Sequence, residues 1–127
     1  MPDIDHTDHF LMFGANPLAS NGSIMSVADV KQRLKDVSKR GKLVVVDPRR
    51  TATAEQADAH HFIRPGSDVL VLLAMLNVLF AEGLVSTGNL AKHLDFGPMS
   101  LAQKFSDFSP ERVAPLTGMS AELIRGL

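Results

Sequence analysis

The chain contains no cysteine, no tryptophan and no tyrosine among its 127 residues. Without cysteine it can form no disulfide, offer no thiolate to a metal and supply no cysteine nucleophile. Without tryptophan or tyrosine, base stacking on a large aromatic platform is not expected. The formal net charge is -1, whereas general nucleic-acid binders rely on a strongly basic face. These features exclude thiol chemistry within the chain and argue against nucleic acid as a partner.

Long apolar segments are absent too. The longest apolar run, from Val69 to Phe80, is interrupted by Asn77 and is too short to span a bilayer. The opening residues, Met1 to His9, are polar and acidic, unlike a secretory signal. We therefore expect no membrane partner, and the cellular compartment stays open. The chain length and a hydrophobic content of 45% predict one domain, residues 1–127, with a sizeable core.

Short apolar runs that alternate with a helical pattern predict an α/β fold. Residues 9–13 and 43–46 are predicted to be buried strands, and residues 60–64 a third strand. Between the first two strands, apolar residues recur at helical spacing after Ser26, the predicted N-cap. Strand, loop, helix and strand in this order predict parallel pairing. The expected fold is a three-layer Rossmann-like domain with a short parallel sheet flanked by helices.

Polar residues with binding potential follow the second strand directly. Asp47, Pro48 and Arg49 end this strand, and open α/β sheets bind ligands beyond the carboxyl ends of their strands. An aspartate there can accept hydrogen bonds from a ribose diol, and an arginine beside it can hold a phosphate. The alternative is a strand-ending turn with solvated arginines, which the residues support about equally well.

The other two candidate segments also have a plain structural interpretation. Gly14 follows the first strand, and its loop could cradle a phosphate with backbone N–H groups, or simply form a turn. The loop is neither a GxGxxG fingerprint nor a P-loop. Ser67 or Asp68 is predicted to cap the next helix, while a carboxylate there could also pair with guanine. We predict no catalytic residue and no metal ligand, because no nucleophile–base pattern is visible and the neighbouring histidines at 60 and 61 point to opposite faces of a strand.

Several segments match one family in order and spacing across nearly the whole chain. They are FGANP (13–17), VVVDPRRTATA (44–54), ADAH (57–60), RPGSD (64–68) leading into LLAM (72–75), FSPERVA (108–114) and LTG (116–118). Together they resemble the molybdopterin oxidoreductases of the dimethyl sulfoxide reductase type, which include formate dehydrogenases and nitrate reductases.

The resemblance implies a central domain that binds a molybdopterin guanine dinucleotide. Residues of the first loop would then meet the phosphates and neighbouring groups, namely Gly14, Ala15, Asn16, Pro17 and Ser20. Asp47 would accept from the guanosine ribose, with Pro48 and Arg49 shaping that pocket. Gly66, Ser67 and Asp68 would line the guanine site, with Asp68 pairing with the base.

The sequence also lacks several segments that are typical of this family. The cysteine motif of an N-terminal iron–sulfur cluster, the segment that supplies a molybdenum or tungsten ligand and the C-terminal domain that completes the cofactor clamp are missing. We therefore expect a fragment whose partners are the remaining domains of a parent enzyme, and which cannot catalyse the parent reaction alone. Two alternatives remain: a nicotinamide-dinucleotide-dependent dehydrogenase domain, and a noncatalytic domain for subunit assembly.

Overall fold

The computed structural model describes residues 3–21, 27–86, 88–93 and 98–127. The chain divides into two compact units, residues 1–63 and 64–127. Among the described residues, the strands lie in the first unit, and the second unit contains helices and the loops that join them. Across the described ranges, no helix is long and apolar enough to cross a membrane.

The described part of the first unit holds a parallel sheet with the strand order β1-β2-β3. Its strands are β1 (His9–Phe13), β2 (Lys42–Val46) and β3 (Ala59–His61). Phe13 pairs with Val46, and Val46 pairs with His61, so the three carboxyl ends lie level at one edge. The predicted α/β class with a short parallel sheet is confirmed, and the loops that follow the strands leave from the same edge.

Among the described residues of this unit, three helices accompany the sheet: α1 (Pro17–Ser20), α2 (Val30–Arg40) and α3 (Ala52–Gln56). Residues 43–46 of β2 are each at most 2% exposed, as expected of β-branched and apolar side chains in a central strand. Helix α2 packs against β2. The core between them consists of Ile4, Met12, Val27, Val30, Leu34, Val37, Leu43, Val45 and Ala54.

Gly41 joins α2 to β2 at a point of close backbone approach. A Cβ at this position would lie 1.8 Å from the carbonyl oxygen of Asp8. The same oxygen accepts a hydrogen bond from the Lys42 N–H at 2.8 Å, which aligns the start of β2 with the start of β1. A side chain at residue 41 would therefore push the two strands apart.

The third strand differs from its prediction, spanning Ala59–His61 instead of residues 60–64. Its partner β2 ends at Val46, and the Arg49 N–H, which could have continued the bonding toward β3, donates instead to the Asp47 carboxylate. The last bond runs from the Asp47 N–H to the His61 carbonyl oxygen at 3.1 Å. The predicted N-cap Ser26 lies outside the described residues, and Asp29 stands at the N-cap position of α2.

The second unit contains a 3-10 helix and four α-helices within its described residues. They are α4 (Asp68–Ala81), the 3-10 helix (Gly88–His93), α5 (Pro98–Phe105), α6 (Pro110–Thr117) and α7 (Ala121–Gly126). Helix α4 packs against α5, α6 and α7. The Asn77 amide, which interrupts its apolar run, donates to the Phe105 carbonyl oxygen at 2.9 Å.

Candidate functional site

The Asp47 carboxylate lies in a backbone turn at the carboxyl end of β2. Its side chain is buried, with the residue 6% exposed, and one carboxylate oxygen accepts from the Arg49 N–H at 2.7 Å. No other hydrogen bond to this carboxylate occurs within the described residues, so the second oxygen keeps its acceptor capacity. Pro48 and Arg49 are exposed beside it. A buried carboxylate beside an exposed arginine can bind a ligand that carries both hydroxyl groups and negative charge.

The loop that follows β1 reaches the same edge and leaves its backbone open. Gly14 has a left-handed φ of 58°, and its N–H donates to the Val46 carbonyl oxygen at 2.9 Å. An added Cβ would meet nothing within 4 Å, so the surface above Gly14 is clear. The next two backbone N–H groups, of Ala15 and Asn16, have no hydrogen-bond acceptor in the described part of the chain. Such N–H groups on an open loop can bind an anion.

The Asn16 side chain is committed to holding this loop in place. Its Oδ1 accepts from the Thr53 hydroxyl at 2.7 Å and from the Thr53 N–H at 3.4 Å. The Thr53 oxygen in turn accepts from the Leu18 N–H at 3.2 Å, and Thr53 is fully buried. These bonds fasten the loop after β1 to helix α3, which follows the Asp47 turn. The loops after β1 and β2 therefore form one bonded assembly.

The remaining predicted residues of the first loop have simple local roles. Pro17 is buried at the first position of α1, where its missing N–H leaves no acceptor unsatisfied. The Ser20 hydroxyl is exposed and donates to the Asn16 carbonyl oxygen at 3.2 Å. Ala15 is exposed at the tip, where its backbone is accessible.

The third predicted segment lies in the second unit, at the start of α4. Gly66 has a φ of 77°, and the buried Ser67 hydroxyl donates to the Arg64 carbonyl oxygen at 2.6 Å. Ser67 stands at the N-cap position of α4, yet its side chain does not cap the helix. Asp68 is half-buried in the first turn, and no described residue donates to its carboxylate. The Asp68 carboxylate is therefore available to a ligand, and the helix dipole favours its negative charge at the start of α4.

Sequence reasoning missed three residues of the first unit that organise this edge. Thr51 caps α3 by accepting from the Ala54 N–H at 3.2 Å, a short-range pattern that the sequence does contain. Thr53 bonds to a residue 37 positions away, which no local signal reveals. His60 was weighed only as a metal ligand, whereas its Nε2 lies 3.1 Å from the Asp47 carbonyl oxygen.

The neighbouring histidine adds a titratable group close to this edge. Burial lowers the pKa of His61, and the imidazole of His60 and the ammonium of Lys42 lower it further. The neutral imidazole is therefore the favoured form in the folded chain near pH 7. Within the described residues, no three metal-binding side chains lie close enough together to hold a metal ion.

Comparison with known proteins places the chain in a family. The family model for molybdopterin oxidoreductases matches residues 1–124. Among curated relatives, a nitrate reductase of Symbiobacterium thermophilum is 35% identical over 98% of this chain, and formate dehydrogenase H of Escherichia coli is 32% identical over 97%. The chain spans about one sixth of their length, 17% and 16% respectively.

A solved structure agrees with these sequence matches. Acetylene hydratase from Pelobacter acetylenicus superimposes with a TM-score of 0.72 and 32% identity, covering 91% of this chain and 15% of its own. At this identity and score, the likeness covers both fold and sequence. The matched segment is shared by proteins whose names denote three different substrates.

Proposed function

This chain belongs to the molybdopterin oxidoreductase family, and we propose that it binds the guanosine and phosphate part of a molybdopterin guanine dinucleotide within a larger molybdenum or tungsten enzyme. Relatives named for nitrate, formate and acetylene share this segment at 32–35% identity. A segment common to enzymes with different substrates is better suited to hold their common cofactor than to select a substrate.

The observation that carries the proposal is the bonded assembly of two loops at the carboxyl edge of the sheet. It combines an open backbone at Gly14, two N–H groups without acceptors and a buried Asp47 carboxylate with one unused oxygen. In the proposal, the N–H groups bind phosphate oxygens, and Asp47 accepts from the ribose hydroxyls. These residues fit the ribose and phosphate groups of a nucleoside diphosphate.

The guanine base is assigned to Asp68 in the second unit. An ionised carboxylate can accept from N1–H and from the exocyclic amino group of guanine, whereas adenine offers no such pair of donors. Asp68 is half-buried at the start of a 14-residue helix and has no donor among the described residues. Ser67 and Gly66 shape the turn that presents this carboxylate.

The finer features of the expected architecture belong to the same proposal. We take residues 1–127 to be one cofactor-binding domain of the three-layer Rossmann-like kind, with further domains of the parent enzyme as its partners. The cofactor supplies the redox chemistry when bound, and the protein supplies binding and orientation. The metal ligand and any iron–sulfur cluster are assigned to other parts of the parent, so the isolated chain should not turn over substrate.

The proposal is tested by the affinity of the 127-residue chain for guanosine diphosphate, measured by calorimetry. Asp68→Asn replaces one acceptor by a donor and should weaken guanosine diphosphate binding by about 10- to 100-fold, the range of a hydrogen bond to a charged group. Adenosine diphosphate binding should not change. Asp47→Asn should weaken both nucleotides, because the ribose is common to them.

The matched control is Asp36→Asn, which changes an exposed carboxylate on α2 that bonds to Lys39 and Gln32. Its nucleotide affinities should equal those of the unaltered chain. Equal effects of all three variants would show a loss of general negative charge and would contradict the assigned roles.

A further inference from the structure

We propose that His60 is a positioning residue, whose side chain fixes the Asp47 turn by bonding to the main-chain carbonyl of Asp47. The inference rests on the proposed function, in which Asp47 is the ribose acceptor. The contact on which it depends is the 3.1 Å approach of the His60 Nε2 to the Asp47 carbonyl oxygen. His60 lies in β3 and Asp47 directly follows the neighbouring strand β2, at the edge where the nucleotide is assigned.

The chemistry of this contact fixes the tautomer of His60. A carbonyl oxygen can only accept, so Nε2 must carry the hydrogen. In the neutral ring, Nδ1 then holds a lone pair. Nδ1 is buried and has no hydrogen-bond partner in the described part of the chain. The imidazole thus makes one bond and leaves its other nitrogen unsatisfied.

The unsatisfied nitrogen indicates what the imidazole contributes. A buried polar atom without a partner destabilises a fold, so an apolar side chain of similar size would be the better choice for packing alone. The edge-to-face contact with Phe62, at 4.5 Å between ring centroids, needs only an aromatic ring, which phenylalanine would also supply. The bond to Asp47 is the feature that a histidine at this position adds.

The bonded carbonyl is the middle of the turn that orients the Asp47 carboxylate. This turn is closed by the Arg49 N–H, which donates to the carboxylate across the Asp47–Pro48 peptide. On its other side, the Asp47 N–H donates to the His61 carbonyl oxygen. β3 therefore holds the Asp47 backbone at both its N–H and its C=O, and His60 supplies the second of these bonds. Rotation of that peptide would turn the carboxylate away from the ribose position.

A pair of substitutions separates this bond from mere packing. His60→Leu removes the donor, whereas His60→Gln places an amide nitrogen near the position of Nε2. We expect guanosine diphosphate to bind the leucine variant about three- to tenfold more weakly, the range of one neutral hydrogen bond, and the glutamine variant to recover most of that loss. His61→Leu is the matched control, because it removes the adjacent imidazole and keeps both hydrogen bonds to the Asp47 main chain.

A second measurement tests the positioning without any nucleotide. Hydrogen exchange of the Arg49 amide reports the closure of the turn. It should be about three- to tenfold faster in His60→Leu and restored in His60→Gln. Long-range nitrogen–proton spectra of the unaltered chain should show the hydrogen on Nε2. Unchanged Arg49 exchange in the leucine variant, or a glutamine variant as impaired as leucine, would overturn the role of His60.

The two measurements keep the proposals distinguishable. If the unaltered chain shows no preference for guanosine diphosphate over adenosine diphosphate, the proposed function fails, and Arg49 exchange still decides the role of His60. If the guanine preference is present and His60→Leu changes neither affinity nor exchange, only the role of His60 fails.

Discussion

Replacing Thr53 by valine removes the hydroxyl that ties the two loops together and keeps the shape of the side chain. The hydroxyl donates to Asn16 Oδ1 at 2.7 Å and accepts from the Leu18 N–H at 3.2 Å, in a residue that is fully buried. Each lost hydrogen bond costs about 1 kcal/mol net, and a partner left buried without a bond raises the cost to about 1–3 kcal/mol. For the two bonds together we expect a loss of about 2–4 kcal/mol in the free energy of unfolding.

The control for this change is Thr53→Ser, which keeps the hydroxyl and removes one methyl group. Its expected loss is about 1 kcal/mol, the value for one buried carbon group. Urea unfolding followed by far-ultraviolet circular dichroism suits a chain without tryptophan. With a slope of about 1–3 kcal/mol per molar for small proteins, the valine variant should unfold at a urea concentration about 1–2 M lower.

A double-mutant cycle with Asn16→Ala completes this test. Because both changes break the same bond, their combined loss should be smaller than the sum of the single losses. A valine variant as stable as the unaltered chain would refute the reasoning. So would serine and valine variants of equal stability, because the effect would then come from the methyl group.

Three further predictions concern single positions. Gly41→Ala should lower the free energy of unfolding by about 1–3 kcal/mol in urea unfolding, because its Cβ would meet the Asp8 carbonyl oxygen; Gly126→Ala, with nothing nearby, should change it by less than about 0.5 kcal/mol, and equal effects would contradict the clash. Because the pKa of His61 is lowered in the folded chain, the unfolded chain binds a proton at His61 more readily, and the free energy of unfolding should fall as the pH drops below about 6.5. His61→Gln should make the free energy of unfolding less dependent on pH in this range, and an unchanged pH dependence would contradict the prediction. Ser120→Ala should cost about 0.5–2 kcal/mol in the same unfolding assay, because the Leu123 N–H loses its acceptor at 3.1 Å, and no loss would exclude the cap.

Local patterns in the sequence were sufficient for the first two strands and for the edge where they end. The uninterrupted run from Leu43 to Val46 can only be a short buried element, and the polar residues on either side fix its limits. β2 was accordingly predicted to within one residue. The start of α6 at Pro110, after Ser109, also agrees with the preference of proline for the first helical turn.

Contacts between distant residues were beyond the reach of the same patterns. Thr53 lies in an alanine-rich segment, and nothing near it indicates that Asn16 is its partner. The end of β3 depends on where β2 stops, which is a property of the pairing and not of residues 60–64. The proposed role of His60 depends on the direction of a backbone carbonyl, and sequence periodicity carries no information about that direction.

At the candidate site, the sequence indicated which residues lie at the ends of strands and helices, but not which of their atoms are already hydrogen-bonded. Sequence reasoning selected Gly14, Asp47 and Asp68 from the ends of strands and the start of a helix, and their assignment to a nucleotide stays a prediction. It also selected Asn16, whose side-chain oxygen is bonded to Thr53, so that its backbone N–H, and not this oxygen, is left for a ligand. Only the three-dimensional bonding distinguishes a residue that is open to a ligand from one that holds the loop.

The most direct test of the central claim is a nitrogen–proton NMR titration of the 127-residue chain with guanosine diphosphate, using adenosine diphosphate as the control. Our account predicts shifts at Gly14, Asp47 and Asp68 with guanosine diphosphate, and weaker shifts at Asp68 with adenosine diphosphate. Equal shifts with both nucleotides at all three positions would reduce the site to general phosphate binding. Absence of shifts with either nucleotide would contradict nucleotide binding by this chain.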